Sequence, residues 1–452
     1  MKATIAETLP HGLDNATGGI TLQGFLFIQV HFIQRGKVEL PWTVLRAFGY
    51  SDTLVLSAQM LAPIAFDSGT WAGIKATKQA APTPGDGPKP LKALPAGPNA
   101  TPGAQYVCQL SERGEAALRH LFSLYDKNSD GVLTAAELDA LFETAPDSPF
   151  NSPALPELYH AVPASDVGDV AWPDFLGAMH LLLLLKPAAA VKYLVYLGME
   201  PGSLLSAGTD SLLEAVPADD TAARRVLLVP VVGASGAGKS ATLSAVLKTS
   251  ASAPARGAAE DGARRASRRN ALALLKAPDS DASLYVALAK VDAAEAAELL
   301  APDAPLVARA TVGLVVFDPS AVASFEAAVA HQERLAEHGM PSLMVATRAD
   351  TVRLDPAHPV HAYLASQDLP DAIQVSATAG TNFETLLGGL TQLAASPELG
   401  LPASHRAAAA KGKIAVRSPG AAAALGWGAV VVGGVVAAAA ATAAAMFWRR
   451  RR

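Results

Sequence analysis

Cysteine is nearly absent: Cys108 is the single one among 452 residues. One thiol excludes an internal disulfide framework and suits a reducing compartment. Strong charge is lacking too. The formal net charge is −5 and no long basic stripe runs along the chain, which argues against nucleic acid as a partner. Met1 to Pro10 has no apolar core, so this stretch does not read as a secretory signal. What is present is apolar. Half of the residues are hydrophobic, enough for sizeable cores, and the length allows roughly two to four domains.

The most informative stretch is Gly233 to Ser240, Gly-Ala-Ser-Gly-Ala-Gly-Lys-Ser. It fits G-x-x-x-x-G-K-[ST], the phosphate-binding loop of nucleotide triphosphatases. Gly233, Gly236 and Gly238 let backbone N–H groups turn inward around phosphate oxygens. Lys239 brings a positive charge to the outer phosphates, and the Ser240 hydroxyl is a ligand for Mg²⁺. The apolar run Val226 to Val232 precedes the loop as a buried parallel strand would, with Pro230 as its one blemish. Ala241 opens a helix to Lys248 whose N-terminus faces the phosphates. Further strands are expected at 284–291, 312–317, 342–346 and 373–375, and helices at 321–338 and 382–394. This alternation predicts a doubly wound parallel sheet.

A guanine reader needs a carboxylate that accepts the ring N1–H and the exocyclic amino group, a pair of donors adenine lacks. After the strand 342–346 comes Thr347-Arg348-Ala349-Asp350, in the place of Asn-Lys-x-Asp in small GTPases. Asp350 is the carboxylate, Arg348 replaces the Lys stem over the base, and Thr347 stands where Asn is usual. Ser376-Ala377 follows the next strand as a loop whose backbone touches the base. These features favour GTP/GDP over adenine nucleotides. The hydrolytic parts are weak. The third strand leads into Asp292-Ala293-Ala294-Glu295 where Asp-x-x-Gly is expected, no Gln follows, and no Thr lies between Ser250 and Ala310. No catalytic residue is assigned. The Ala/Arg/Ser-rich segment from Ser250 to Asn270 reads as a loop over the nucleotide, with Arg264, Arg265, Arg268 and Arg269 either reaching the phosphates or, as such a run more commonly does, forming a solvated basic loop.

Asp126 to Glu137 matches the twelve-residue calcium loop of a helix–loop–helix hand. Asp126, Asn128 and Asp130 offer side-chain oxygens, Val132 its carbonyl, and Glu137 both carboxylate oxygens, with Thr134 acting through water. Gly131 permits the sharp turn and Leu133 packs against a partner hand. Gly18 to Tyr50 and Gly168 to Met199 read as two copies of a ligand-poor hand, each with a Gly-x-[Ile/Val] step, Phe-Leu in register and a second helix. The Gly168 copy is the natural partner of the calcium loop. A matching hand for the Gly18 copy would lie upstream of Met1.

At the other end, 421–448 is mostly Ala, Val and Gly without charge, long enough to span a bilayer, with Lys411, Lys413 and Arg417 before it and Arg449 to Arg452 after it. It reads as a tail anchor that leaves the bulk of the chain in the cytosol. Its modest hydrophobicity and flanking basic residues favour the outer mitochondrial membrane over the endoplasmic reticulum. The fold class is therefore multidomain α plus α/β: helical EF-hand pairs, a Ras-like P-loop domain and a C-terminal transmembrane helix. The expected boundaries are 1–60 for the first hand unit, 61–105 for a linker and 106–200 for the second hand unit. A second linker takes 201–222, the GTPase domain 223–398, a third linker 399–420 and the anchor 421–448.

The string Phe32-Ile33-Gln34-Arg35-Gly36 and Trp42-Thr43-Val44-Leu45-Arg46-Ala47-Phe48-Gly49-Tyr50, followed by these parts in this order, resembles the mitochondrial Rho GTPase (Miro) family. The resemblance implies GTPase activity, Ca²⁺ and Mg²⁺ as cofactors, and attachment to mitochondrial outer membrane lipid. It also implies motor adaptors or other cytosolic proteins as partners in distributing the organelle. The sequence departs from the family at the front, where the N-terminal GTPase domain and first calcium hand have no counterpart.

Overall fold

The computed structural model describes residues 8–14, 19–47, 49–52, 106–158, 161–162, 169–199, 201–204, 211–217, 223–249, 268–276, 283–301 and 304–410. Two compact units are present, with described residues 8–52 in the first and 106–410 in the second. The expected linker at 61–105 lies wholly outside the described residues, and Tyr106, the first described residue after it, begins a strand. The expected anchor at 421–448 lies wholly outside them. Among the described residues no helix is long and apolar enough to cross a membrane.

In the first unit, Thr21 caps helix α1 (Leu22–Gln34) by accepting from the Gly24 N–H, and its own hydroxyl donates to the His11 carbonyl. Helix α2 (Glu39–Ala47) follows a turn at Gly36, whose φ of 70° suits a residue without Cβ. The Gly18 copy does form two helices. Its short strand, however, meets Leu13 through a bridge at Ile20 rather than the loop of a second hand.

The second unit begins with β1 (Tyr106–Leu110) and helix α3 (Glu112–Tyr125), the latter capped by Ser111. The acidic loop leads through β2 (Val132–Leu133) into α4 (Ala135–Leu141). After it, β3 (Val170–Ala171) precedes α5 (Trp172–Leu185) and α6 (Pro187–Tyr196). Strands β2 and β3 pair antiparallel, Leu133 opposite Val170, and both side chains are buried. The Gly168 copy is thus the partner of the acidic loop, as its sequence predicts. Helix α5 is apolar on every side because every side is covered. Phe175 packs among Phe122, Phe150 and Trp172 of the hand pair. Gly177 lies on the opposite neighbour, the sheet of the second half.

That sheet has six strands in the order β10-β9-β8-β5-β7-β6. They are β5 (Val226–Val232), β6 (Asn270–Lys276), β7 (Ser283–Lys290), β8 (Gly313–Phe317), β9 (Ser342–Ala346) and β10 (Ile373–Gln374). All neighbours are parallel except β6, which runs antiparallel to β7. Helices α8 (Lys239–Thr249) and α13 (Phe383–Ala395) cover one face. The other carries α9 (Ala296–Leu299), α10 (Pro305–Arg309), α11 (Val322–Glu337) and α12 (Pro359–Gln367). Pro230 fits because amides alternate sides along a strand. The Leu228 carbonyl accepts from Thr311 on the β8 side and Val231 from Val291 on the β7 side. The Pro230 nitrogen therefore faces β8, whose ladder with β5 starts only at Val231.

Three expectations need correction. The end of the arginine-rich loop is β6, an edge strand added antiparallel to an otherwise parallel sheet; residues 250–267 lie outside the described ones. The expected linker at 201–222 contains helix α7 (Pro201–Leu204) and strand β4 (Leu213–Pro217), which pairs antiparallel with β1. A strand this short, broken by Glu214, has no periodicity to announce it; it is fixed by its partner a hundred residues earlier. The chain from 399 is also partly structured, with Gly400 and Leu401 buried and α14 (Ala403–Ala410) tied back by Arg406 to Asp368.

Edge strand β6 is covered by the hand unit rather than by solvent. The Leu272 N–H donates to Ala161 O at 2.7 Å, Asn270 Nδ2 to Glu157 O at 2.8 Å, and the Tyr285 hydroxyl to Pro173 O at 2.8 Å. A Cβ on Gly177 would stand 2.5 Å from Leu272 Cδ2 and 2.6 Å from Tyr285 Cε1. Gly177→Val is therefore expected to destabilise the second unit by about 1–3 kcal/mol through overpacking. Denaturant unfolding checks this; an unchanged midpoint would contradict the close approach.

Candidate nucleotide site and calcium loop

Strand β5 hands over to α8 through the glycine-rich loop, as the motif requires. Gly233 has φ 148°, and a Cβ there would lie 2.1 Å from Val316 O of β8. Gly236 and Gly238 have φ of 77° and 100°. The loop can take this course only without side chains at these places. Lys239 is the first residue of α8, two places earlier than the expected start at Ala241. Its ammonium donates to Gly233 O at 2.7 Å and Ala234 O at 3.0 Å. Burial pulls its pKa below the ordinary lysine value; Asp292 opposes the shift and Lys290 adds to it.

A cleft of about 1200 Å³ opens above this loop. Gly236, Gly238, Lys239, Ser240 and Ala241 line its middle. Thr347, Arg348, Asp350 and Ala377 line it on the β9–β10 side of the sheet, and Lys290, Asp292 and Ala293 on the β7 side. The structure thus brings the predicted phosphate and base residues into one cavity, Gly233 and Ser376 standing behind its wall. Ser376 acts through its side chain: its hydroxyl donates to Asp350 Oδ1 at 2.6 Å and accepts from the Ala379 N–H at 3.0 Å. The carboxylate is thereby aimed by a buried hydroxyl before any ligand arrives.

Thr347 does a different job from the one expected. It is buried, and its hydroxyl lies 2.8 Å from Ala237 O and 3.2 Å from Phe317 O. With one proton it donates to the nearer, tying the phosphate loop to the end of β9. Arg348 adopts the left-handed conformation at φ 58°. Its guanidinium pairs with Asp318 Oδ2 at 2.6 Å, so its stem crosses the cleft towards β8. Burial alone would raise the Asp318 carboxyl, but Ser320 hydrogen bonds and the Arg348 charge hold it below the usual range. Asp318 follows β8 and carries no motif, so only the structure reveals it. Arg268 neither reaches the cleft nor stands in solvent: it is buried and donates to Ser244 Oγ on α8 at 2.8 Å.

The acidic loop is folded by its own side chains. Asp126 accepts from the Asp130 and Gly131 N–H groups, and Asp130 Oδ1 from the Val132 N–H at 2.8 Å. Asn128 Nδ2 donates to Asp130 Oδ2. Ser129 and Gly131 take φ of 57° and 78° to close the turn. Glu137 reaches back to the Thr134 and Lys127 N–H groups, completing a capping box for α4. The bonds from Thr134, then Lys127, hold its carboxyl below the usual range. Among the described residues, no group of three or more His, Cys, Asp or Glu side chains is placed to hold a metal ion.

A P-loop domain with a carboxylate at its base end, joined to a pair of helix–loop–helix hands, is the class this arrangement defines. A family model described as EF hand associated matches residues 1–76. Mitochondrial Rho GTPase 1 of Cryptococcus neoformans is 27% identical over 397 residues, 86% of this chain and 52% of that protein. Mitochondrial Rho GTPase 2 of Arabidopsis thaliana is 32% identical over 208 residues, 46% of this chain and 26% of its own length. Mitochondrial Rho GTPase 1 of Gibberella zeae is 28% identical over 254 residues, 55% and 34% of the two chains. The chain resembles the mitochondrial Rho GTPases, and it spans about half the length of the first of these relatives and less of the others.

Thr347→Val keeps the shape and removes the hydroxyl that anchors the loop. It is expected to cost about 1–2 kcal/mol of stability by leaving the Ala237 carbonyl unpaired. Unfolding midpoints measure the loss; an unaltered midpoint would show that the bond carries nothing.

Proposed function

We propose that this chain is a calcium-binding, tail-anchored GTPase of the mitochondrial outer membrane, acting in mitochondrial transport and distribution. The observation that carries the nucleotide reading is the single cleft with a glycine phosphate loop in its middle and the Ser376-aimed Asp350 carboxylate at one end. A carboxylate held in place can accept two parallel N–H donors, one on each oxygen, Oδ1 keeping a second lone pair beside its Ser376 bond; guanine has such a pair of donors and adenine lacks it. In this reading Lys239 exchanges its Gly233 and Ala234 carbonyls for phosphate oxygens. The Ser240 hydroxyl and the Asp292 carboxylate both line the cleft, and oxygen donors of this kind fit Mg²⁺. Bound there, the ion would neutralise phosphate charge.

Hydrolysis is proposed to be slow. Glu295 stands where a glycine is usual and immediately precedes α9, and no water-orienting Gln follows. Even intact Ras-type sites turn over on the order of 10⁻⁴ s⁻¹ until a partner supplies an arginine. A second reading, a calcium-responsive membrane scaffold with negligible turnover, draws on the Lys290–Asp292 ion pair, which occupies the one carboxylate of that loop facing the cleft. Multiple-turnover phosphate release separates the two. The calcium part rests on the oxygen donors Asp126, Asn128, Asp130, Val132 O and Glu137 around one turn. To bind the ion, Glu137 would give up its Thr134 and Lys127 bonds. The membrane part rests on 421–448 and its basic flanks.

Lys239→Ala is expected to abolish nucleotide binding, and Asp350→Asn to leave it while weakening the preference for guanine; equilibrium titration with GTP checks both. Retention of GTP affinity by Lys239→Ala would contradict the site. Calorimetric titration should find one calcium site per chain, in the sensor range of about 10⁻⁷–10⁻⁵ M. Two sites, or one indifferent to Glu137→Ala, would contradict the assignment to this loop.

A further inference from the structure

The end of the cleft opposite Asp350 holds a lysine that no nucleotide-binding motif explains. Lys290 is the last residue of β7, and its register partner on β5 is Val231, two residues before Gly233. It and the phosphate loop therefore leave the sheet side by side. Its side chain is 11% exposed, lines the cleft, and has its ammonium 3.9 Å from Asp292 Oδ1, near the limit of an ion pair. Asp292 itself is 58% exposed and shares its attraction with water. Lys239 and Lys290 line the same cleft, and two cations in one cavity favour an anion between them.

The order along the cleft fixes which anion. Asp350 follows β9, the glycine loop and Lys239 follow β5, and Lys290 ends β7, so in the sheet order the loop stands between the other two. A nucleotide with its base on Asp350 and its inner phosphates on the loop points its terminal phosphate towards Lys290. We propose that Lys290 binds the terminal phosphate and sets the preference of this site for a nucleoside triphosphate over a diphosphate. The inference rests on the guanine-nucleotide reading above.

The test uses the full chain and titrates GDP and a non-hydrolysable GTP analogue, with magnesium and again with EDTA. Lys290→Met keeps the stem and removes the charge; Lys290→Arg keeps the charge. Lys290→Met should lose about tenfold or more in affinity for the GTP analogue, the size of one charge-assisted contact, while GDP stays within about twofold. Lys290→Arg should retain most of the triphosphate preference. The preference lost in Lys290→Met should be larger in EDTA, where no divalent ion shares the phosphate charge. An equal loss for both nucleotides, or no loss for the analogue, overturns the role of Lys290 while leaving the guanine reading in place. Failure of the unaltered chain to bind either nucleotide overturns both. Thermal melting of the free variants, expected to match the parent, distinguishes a lost contact from a lost fold.

Discussion

The phosphate loop passes so close to the neighbouring strand that one missing atom decides the site. At Gly233 the chain turns with its Cα against the Val316 carbonyl, where a Cβ would sit at 2.1 Å. That approach brings the loop over the ends of β5 and β8 together. It places Gly238 against Thr347, where a Cβ would stand 3.0 Å from Cγ2, and lets the Thr347 hydroxyl reach Ala237 O. The base end depends on the same contact, because Thr347 begins the turn that carries Arg348 and Asp350. A larger residue at 233 would separate the phosphate and base halves of the cleft.

A second constraint holds the nucleotide domain to the hands. Helix α5 has no polar face to give to water, so it is buried on one side by the aromatic cluster of the hand pair and on the other by β6 and β7. The cost of an exposed edge strand and of an apolar helix cancel in one interface. The same interface carries Arg309, buried and donating to the Leu185 carbonyl at the end of α5, its pKa lowered by burial to about 10. Tyr285 of β7 lies in that interface, and the same strand ends at Lys290 in the cleft.

How much of this could be read beforehand follows from the range of the interactions. Strands β5 and β9 are continuous apolar runs and were legible to the residue, and the glycine motif and the acidic loop carry their spacing in plain view. Asp350 was legible because it sits in a fixed place after a strand. Strand β4 was not, since five residues ending in proline become a strand only against Tyr106 to Leu110. Strand β6 was hidden because Asn270 to Lys276 adjoins an Ala/Arg/Ser-rich stretch and shows no alternation, being covered on both faces. The roles of Ser376, Thr347 and Asp318 needed coordinates: each is set by a hydrogen bond to a residue between 2 and 110 positions away.

The central claim is that one cleft holds phosphates on the glycine loop and a guanine-type base edge on Asp350. Competition for that cleft by GTP, ITP and ATP tests it most directly, because inosine keeps the ring N1–H but lacks the exocyclic amino group, and adenine lacks both donors. The account predicts affinities falling in the order GTP, ITP, ATP. Equal competition by ATP would contradict it.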